Sequence, residues 1–284
     1  MRSNQVDGSC DTCFTPVAAG TGRVVGHAGC ERVLCLTCRP LPPSRGGHHG
    51  WFERPLAALD FEATGVDPHR DRVLSYALVD PDHERESLVD AGVPIPEASA
   101  EVHGITASAL VGAPSSAEAI SVVADWVQSL IDRRIGLVVF NAAYDLTMLR
   151  AEAARYDVRQ PQWDRLLVVD PYVIDWGLER GGLGQRRLID VAEYYGVALD
   201  HAHDALADAR AARDVAVEMG ARHAEAGACS LTDLMLRQHL WHAERVDDWN
   251  AYAAAKGREP IDRHSWPLVT SPAGVLPRQV RQSA

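Results

Sequence analysis

Two carboxylates separated by one residue, Asp60 and Glu62, end an apolar run in the stretch LAALDFEATG, residues 56–65. Side chains alternate between the two faces of a β-strand, so both acids point the same way if this stretch is a strand. Two negative charges this close repel each other unless a cation lies between them or one carboxyl holds a proton. The pair is therefore a candidate cation site, and the alternative is a fortuitous arrangement at a strand end.

Two further segments carry polar side chains near predicted helix starts. In VVFNAAYDLTML, Asn141 could cap the helix that follows, and Asp145 could simply favour the positive end of that helix. In HAHDALADARAA, His203 and Asp208 lie five residues apart, which is about 140° around a helix axis. The two side chains would not touch on a regular helix, but they border one cleft if His203 precedes it. The structural alternatives are a helix cap at His203 or Asp204 and a solvated acid at Asp208.

The three motifs, in this order, resemble the DEDDh family of 3′–5′ exonucleases. DFEATG is similar to that family's first motif, which most often reads D-x-E-T-T-G, with Ala63 here in place of the first Thr. VHGIT, residues 102–106, resembles a segment that lies near the terminal nucleotide in many members. The resemblance covers roughly residues 54–220 and implies a ribonuclease H-like fold, a proofreading-type activity and 5′-mononucleotide products.

The resemblance also implies a two-metal site. Two divalent ions about 3.5–4 Å apart can bind the attacking water and the leaving oxygen of a phosphodiester. Mg²⁺ prefers carboxylate oxygens, so we expect two Mg²⁺ or Mn²⁺ ions to be bound by four acids: Asp60, Glu62, Asp145 and Asp208. We expect His203 to take the proton from the attacking water, because an imidazole titrates in the neutral range.

Five residues are candidates for contacts with the terminal nucleotide: Phe61, Thr64, Gly65, His103 and Asn141. The backbone amides near Thr64 and Gly65 could donate hydrogen bonds to it. His103 could contact its sugar or phosphate, and a structural role in a loop is the alternative. Phe61 should face away from the two acids, so packing in the core competes with a contact to a base.

The first fifty residues contain five of the six cysteines. Two C-x-x-C pairs predict one structural Zn²⁺ bound by four thiolates: Cys10, Cys13, Cys35 and Cys38. His27 and Cys30 lie between the pairs and could each replace one ligand. Disulfides or free thiols are the alternatives, and the lack of a recognisable export signal favours metal.

Hydrophobic periodicity supplies the elements that must position these residues. Three strands with short connections precede a helix–strand–helix–strand series and then further helices. This order predicts an α/β fold in which a mixed sheet is flanked by helices. We expect four segments along the chain: a zinc-binding module at 1–42, a linker at 43–53, an exonuclease domain at 54–222 and a helical C-terminal extension at 223–284.

Aromatic residues mark one face of the helix predicted in the C-terminal extension. Trp241 and Trp249 are eight residues apart, which is near two helical turns and places them on the same face. Packing of this helix back on the domain is the preferred interpretation, and stacking on single-stranded bases is the alternative.

The net charge of −11 is concentrated in the middle of the chain. Residues 51–220 contain fifteen arginines and twenty-nine acids, net −14. A chain-wide basic surface for nucleic acid is therefore excluded. Arg186 and Arg187 could contact phosphates, but we interpret them as solvated surface residues, because arginines are mostly exposed. The sequence shows no run of eighteen apolar residues and no signal peptide, so we expect a cytoplasmic protein without membrane contacts.

The complete set of four acids and a histidine favours a metal-dependent 3′–5′ exonuclease that acts on single-stranded DNA or on nucleic-acid 3′ ends. The alternatives are an exoribonuclease on short RNA and a non-catalytic adaptor that binds nucleic acid. Whether the protein is an enzyme or an adaptor, the zinc-binding module could recruit a replication or repair protein.

Overall fold

The structure is a computed structural model that describes residues 2–11, 13–25, 32–35, 43–179 and 186–269. His27, Cys30 and Cys38 lie outside the described residues. The N-terminal part has two small antiparallel sheets, with strand orders β1-β4-β5 and β2-β3. Their strands are β1 (Arg2–Ser3), β2 (Gly8–Ser9), β3 (Pro16–Val17), β4 (Arg23–Val25) and β5 (Arg32–Leu34). Cys10, Val17 and Leu34 are buried together as a small core.

A five-stranded sheet forms the centre of the molecule, in the order β10-β9-β6-β7-β8. Its strands are β6 (Leu56–Ala63), β7 (Val73–Val79), β8 (Glu84–Leu88), β9 (Gly136–Val138) and β10 (Val168–Val169). β6, β7 and β8 pair antiparallel, whereas β9 pairs parallel with both β6 and β10. The predicted meander and the predicted mixed sheet are both confirmed.

Helices cover both faces of this sheet. They are α1 (Glu97–His103), α2 (Ser116–Arg133), α3 (Ala142–Arg155), α4 (Pro171–Glu179), α5 (Leu188–Tyr195), α6 (Ala205–Arg222), α7 (Ala224–Gly227) and α8 (Leu231–Ala255). The sequence analysis did not predict α1 or α4, which contain seven and nine residues. Within the described ranges, none of the helices is long and apolar enough to cross a membrane.

The side chains of β6 alternate between two cores. Leu59 and Phe61 lie in the core formed with α2 and α3. Leu56 and Ala58 lie in the core formed with α5 and α6. Because both faces are covered, the strand is buried along its whole length. Asp60 and Glu62 continue the face that looks toward α6, since they share the alternation of Leu56 and Ala58.

The segment between the N-terminal sheets and the central sheet is packed against α6 and α7. Residues 43–50 contain no helix or strand. The Gly46 N–H donates to the Ala221 carbonyl (2.8 Å), and the buried Trp51 indole N–H donates to the Ala226 carbonyl (2.8 Å). A Cβ at Gly50 would lie 1.9 Å from the Gly227 carbonyl oxygen. The backbones therefore approach closely here, and only glycine fits at position 50.

Helix α8 covers the β10 edge of the sheet. The Gln238 side chain accepts from the Asp170 N–H (2.7 Å) and donates to the Val168 carbonyl (2.9 Å). These bonds satisfy backbone groups that a neighbouring strand would otherwise pair. On the α4 side, the ring of Trp241 fills the space beside Gly177, where a Cβ would lie 2.3 Å from the ring. Packing of this helix on the domain, the preferred interpretation, is therefore confirmed for Trp241.

Candidate active site

The strand β6 ends in two buried acids. Asp60 and Glu62 are 7% and 6% exposed, and they lie opposite Ala77 and Ser75 of β7. The parallel register pairs Ala58 with Val138, the last residue of β9. The chain therefore leaves β9 beside Asp60 and enters α3 next to the acids.

Helix α6 brings a histidine and an acid to the same place. Its N-cap is Asp204, whose side chain accepts the Ala207 N–H (2.9 Å), so the helix cap considered as an alternative is formed by Asp204 and not by His203. His203 precedes the helix with a left-handed backbone (φ 72°), and its N–H donates to Asp208 Oδ2 (3.2 Å). His203 therefore precedes the helix, which is the arrangement in which we expected His203 and Asp208 to border one cleft. Asp208 is only 8% exposed, which excludes a solvated acid.

Glu62, His203 and Asp208 form a compact group of potential metal ligands. Their ligand atoms all lie within 4.8 Å of one another. Glu62 and Asp208 supply oxygen atoms, which are the donors that Mg²⁺ prefers, so these two acids have the donor chemistry for a small divalent ion. Asp60 and Asp145 are not members of this three-residue group.

Asp145 lies in the first turn of α3 and is completely buried. Asn141 occupies the N-cap position with a left-handed backbone (φ 65°), but its side chain makes no capping hydrogen bond. The predicted cap was therefore wrong in its chemistry. The Asp170 carboxylate accepts the N–H groups of Asn141 (2.9 Å) and Ala142 (3.0 Å) instead. Sequence reasoning missed Asp170, although an acid directly after the apolar stretch LLVV was a usable signal.

The loop after β6 is held by its own hydrogen bonds. The Thr64 hydroxyl donates to Asp71 Oδ1 (2.9 Å) and accepts the Arg72 N–H (2.9 Å). The Thr64 N–H donates to the Arg72 carbonyl (2.9 Å), so this amide is engaged within the fold. A Cβ at Gly65 would lie 2.5 Å from Asp71 Oδ2, which explains the glycine.

His103 and Phe61 have different surroundings. His103 is the last residue of α1, and its Nδ1 accepts the Ile105 N–H (3.0 Å). Burial lowers the pKa of His103 below its usual value, and the Ala63 backbone acts in the opposite direction. Phe61 is fully buried in the core on the face opposite the two acids. It therefore has no surface to offer a base, and the core interpretation holds.

Arg186 and Arg187 each pair with an acid. Arg186 Nε donates to Oδ2 of the fully buried Asp175 (2.5 Å). The Arg187 side chain makes two hydrogen bonds to Asp190 (2.6 and 2.7 Å), in the first turn of α5. The prediction that both arginines are solvated was wrong, because a sequence shows charge but not the partner that neutralises it.

Three cysteines of the N-terminal part form the second group of potential ligands. The sulfurs of Cys10, Cys13 and Cys35 lie within 4.8 Å of one another, and Cys13 Sγ and Cys35 Sγ are 3.6 Å apart. A disulfide would place two sulfurs about 2.05 Å apart. Four sulfurs around a tetrahedral Zn²⁺ at about 2.3 Å would be about 3.8 Å apart. The spacing therefore fits a zinc site and not a disulfide between Cys13 and Cys35.

Comparison with solved structures identifies the same fold that the sheet topology indicates. Exonuclease I of Escherichia coli, in a complex with a dA16 oligonucleotide, superposes with a TM-score of 0.52 and 18% identity over 66% of this chain and 44% of that chain. Exonuclease I of Methylocaldum szegediense superposes with a TM-score of 0.53 and 19% identity over 67% of this chain and 45% of that chain. The chain thus spans less than half the length of these proteins. These likenesses confirm the ribonuclease H-like α/β fold.

Sequence comparison identifies the family. DNA polymerase III subunit epsilon of Treponema pallidum is 29% identical over 176 residues, covering 60% of this chain and 78% of that protein. A DNA polymerase III subunit epsilon-like protein of Rhodobacter capsulatus is 34% identical over 119 residues, covering 37% of this chain and 16% of that protein. Residues 57–216, more than half of the chain, match the exonuclease family RNase_T. The chain therefore belongs to the exonuclease family.

Proposed function

We propose that this exonuclease is a metal-dependent 3′–5′ enzyme that releases 5′-mononucleotides from single-stranded DNA or from nucleic-acid 3′ ends. The observation that carries the proposal is the grouping of Glu62, His203 and Asp208 within 4.8 Å. Asp60 lies on the same face of β6 as Glu62. A non-catalytic adaptor would need neither the imidazole nor this group of buried acids.

The donor set fits two divalent cations of the Mg²⁺ or Mn²⁺ type. Oxygen ligands suit these ions, and the four candidate ligands are Asp60, Glu62, Asp145 and Asp208. When bound, such ions neutralise the charge of the phosphodiester and favour a nucleophilic water. In the absence of cations, like charges oppose each other at this site, so the acids favour cation binding.

His203 is the proposed general base. It precedes α6, with its ring within 4.8 Å of the Glu62 and Asp208 carboxylates. A left-handed backbone at a residue other than glycine costs on the order of 1 kcal/mol. The Asp208 side chain accepts the His203 N–H and so helps to hold this conformation. In this position, the imidazole can take a proton from a water that attacks the phosphorus.

Single strands are the preferred substrate on physical grounds. The candidate acids are 0–8% exposed, and an unpaired strand end can approach buried groups without melting of a duplex. The −14 charge of residues 51–220 opposes broad contact with a duplex backbone. The Exonuclease I complex with dA16 supports a single-stranded DNA substrate. Short RNA stays an alternative for the assay to decide.

The test uses single-stranded DNA and RNA labelled at either end, with Mg²⁺, Mn²⁺ or a chelator. We expect stepwise shortening of 5′-labelled strands and immediate release of a 3′-terminal label as a mononucleotide, only with metal. The Asp208→Asn variant should be inactive. Asp190→Asn, a buried acid that pairs with Arg187 outside the site, is the matched control. Metal-independent cleavage, or release that starts at the 5′ end, would contradict the proposal.

We also propose one structural Zn²⁺ in the N-terminal part. The three described thiols supply ligands, and Cys38 is the proposed fourth. Among its described residues, the zinc-binding module carries no counterpart of the acid group, so its proposed role is binding. A replication or repair protein is the proposed partner, and the polymerase III epsilon relative supports this choice.

A further inference from the structure

The buried carboxylate of Asp170 joins the start of α3 to the C-terminal segment, the described residues 256–269 that follow α8. Its Oδ1 accepts the N–H groups of Asn141 (2.9 Å) and Tyr172 (3.1 Å). Its Oδ2 accepts the Ala142 N–H (3.0 Å) and the indole Nε1–H of Trp266 (2.9 Å). A carboxylate has about four acceptor positions, so these four donors saturate it.

This carboxylate replaces the cap that the Asn141 side chain does not supply. The first N–H groups of a helix have no partner within the helix, and negative charge is favourable at this end. Asp170 therefore fixes the first turn of α3. Asp145 lies in that turn, four residues after Asn141, and is completely buried. A shift of the turn would move Asp145 with it.

The C-terminal segment holds the same carboxylate from the other side. Trp266 is 3% exposed and lies in the core formed with α2 and α3. Three residues farther along, the Val269 N–H donates to the Thr147 hydroxyl of α3 (2.8 Å). Burial raises the pKa of the Asp170 carboxyl, and the hydrogen bond from Trp266 acts in the opposite direction. The indole N–H thus favours the charged carboxylate that all four donors require.

We infer that Trp266 and Asp170 are positioning residues, which set the affinity of the site for divalent cations by fixing the helical turn that carries Asp145. Neither residue is among the proposed ligands. The C-terminal segment, although it lies outside the family match at 57–216, would then tune the metal dependence of the enzyme. The inference rests on the proposed function, because Asp145 is a metal ligand only within that proposal.

The test compares Trp266→Phe with the wild-type protein. Phenylalanine keeps an aromatic ring and removes the N–H. Titration with Mn²⁺, followed by electron paramagnetic resonance, should show binding about 3- to 10-fold weaker, because the variant loses a hydrogen bond to a charged group and part of this loss reaches Asp145. The rate of DNA degradation should need correspondingly more Mn²⁺, and its maximum at saturating Mn²⁺ should recover to within about twofold.

Trp126→Phe is the matched control. The Trp126 indole on α2 donates to Asp80 Oδ2 (3.1 Å), so this variant also loses an indole–carboxylate hydrogen bond, but not one at the start of α3. Its thermal stability should fall, whereas its Mn²⁺ affinity should stay within about twofold of wild type. Equal Mn²⁺ affinity of Trp266→Phe and wild type would overturn the inference.

Two further outcomes separate this inference from the proposed function. If Trp266→Phe does not fold, Thr147→Val removes the hydroxyl that accepts the Val269 N–H. Weaker Mn²⁺ binding then supports the inference, and unchanged binding overturns it. A wild-type protein that binds Mn²⁺ but degrades no strand refutes the exonuclease proposal, while the titration still decides the positioning role. A wild-type protein that binds no Mn²⁺ overturns both.

Discussion

Replacement of a buried histidine in α8 should remove much of the sensitivity of this protein to mild acid. His242 is 2% exposed, and its Nε2 lies 3.2 Å from the Ser265 hydroxyl. Burial, with smaller contributions from the positive charge of Arg245 and from His239, lowers the pKa of His242 from 6.5 to about 3. The folded protein therefore keeps this imidazole neutral at pH values where the unfolded chain protonates it.

The sign and size of the effect follow from proton linkage. Between pH 6.5 and pH 3 the unfolded state binds the proton and the folded state does not, so the free energy of unfolding falls as pH falls. The fall approaches about 1.4 kcal/mol per pH unit in this window. Between pH 8 and pH 5 it amounts to about 2 kcal/mol, and below pH 3 no further loss arises from this group.

Urea denaturation at pH 5, 6, 7 and 8 measures this effect. His242→Gln can keep a hydrogen bond to Ser265 and has no proton to gain. The free energy of unfolding of the wild-type protein should lose about 2 kcal/mol more than that of the variant between pH 8 and pH 5. The exposed His83→Gln variant is the control and should follow the wild type. Parallel pH profiles of wild type and His242→Gln would refute the reasoning.

Three predictions concern the proposed sites. Asp208→Asn should abolish degradation of single-stranded DNA while the far-ultraviolet circular dichroism stays unchanged; residual activity near the wild-type rate would contradict its role as a ligand. His203→Ala should lower the turnover number by about 10²–10⁴-fold at neutral pH, measured at saturating Mn²⁺, whereas a loss below about tenfold would indicate a structural role. Native mass spectrometry should find about one Zn²⁺ per chain. Joint replacement of Cys10 and Cys13 by Ser should remove this Zn²⁺, whereas hydrolysis of short oligonucleotides should be retained. If protein purified without chelator lacks Zn²⁺, the zinc site is refuted.

The elements with a clear local pattern were predictable from the sequence. In α2, Ile120, Val123, Val127 and Leu130 recur at helical spacing, and all four are fully buried. The alternation of side chains along β6 correctly predicted that Phe61 lies on the face opposite the two acids. These predictions succeeded because helix and strand periodicity is encoded by neighbouring residues.

The contacts that support the candidate site were not predictable, because they join residues far apart in the chain. Trp266 reaches Asp170 across 96 residues, and Val269 reaches Thr147 across 122. A single sequence contains no periodic signal for such pairs. Likewise, nothing local to Arg186 indicates that Asp175, eleven residues earlier, neutralises it.

The amide of Gln238 has a consequence for attempts to isolate the catalytic part of the chain. By bonding to both the Asp170 N–H and the Val168 carbonyl, one side chain of α8 stands in for a sixth strand. A fragment that stops at residue 222 would leave the β10 backbone unpaired along an apolar edge. Open edges of this kind recruit strands from other molecules. Such a fragment should therefore self-associate in a concentration-dependent way, and light scattering during its purification would reveal this before any activity is assayed.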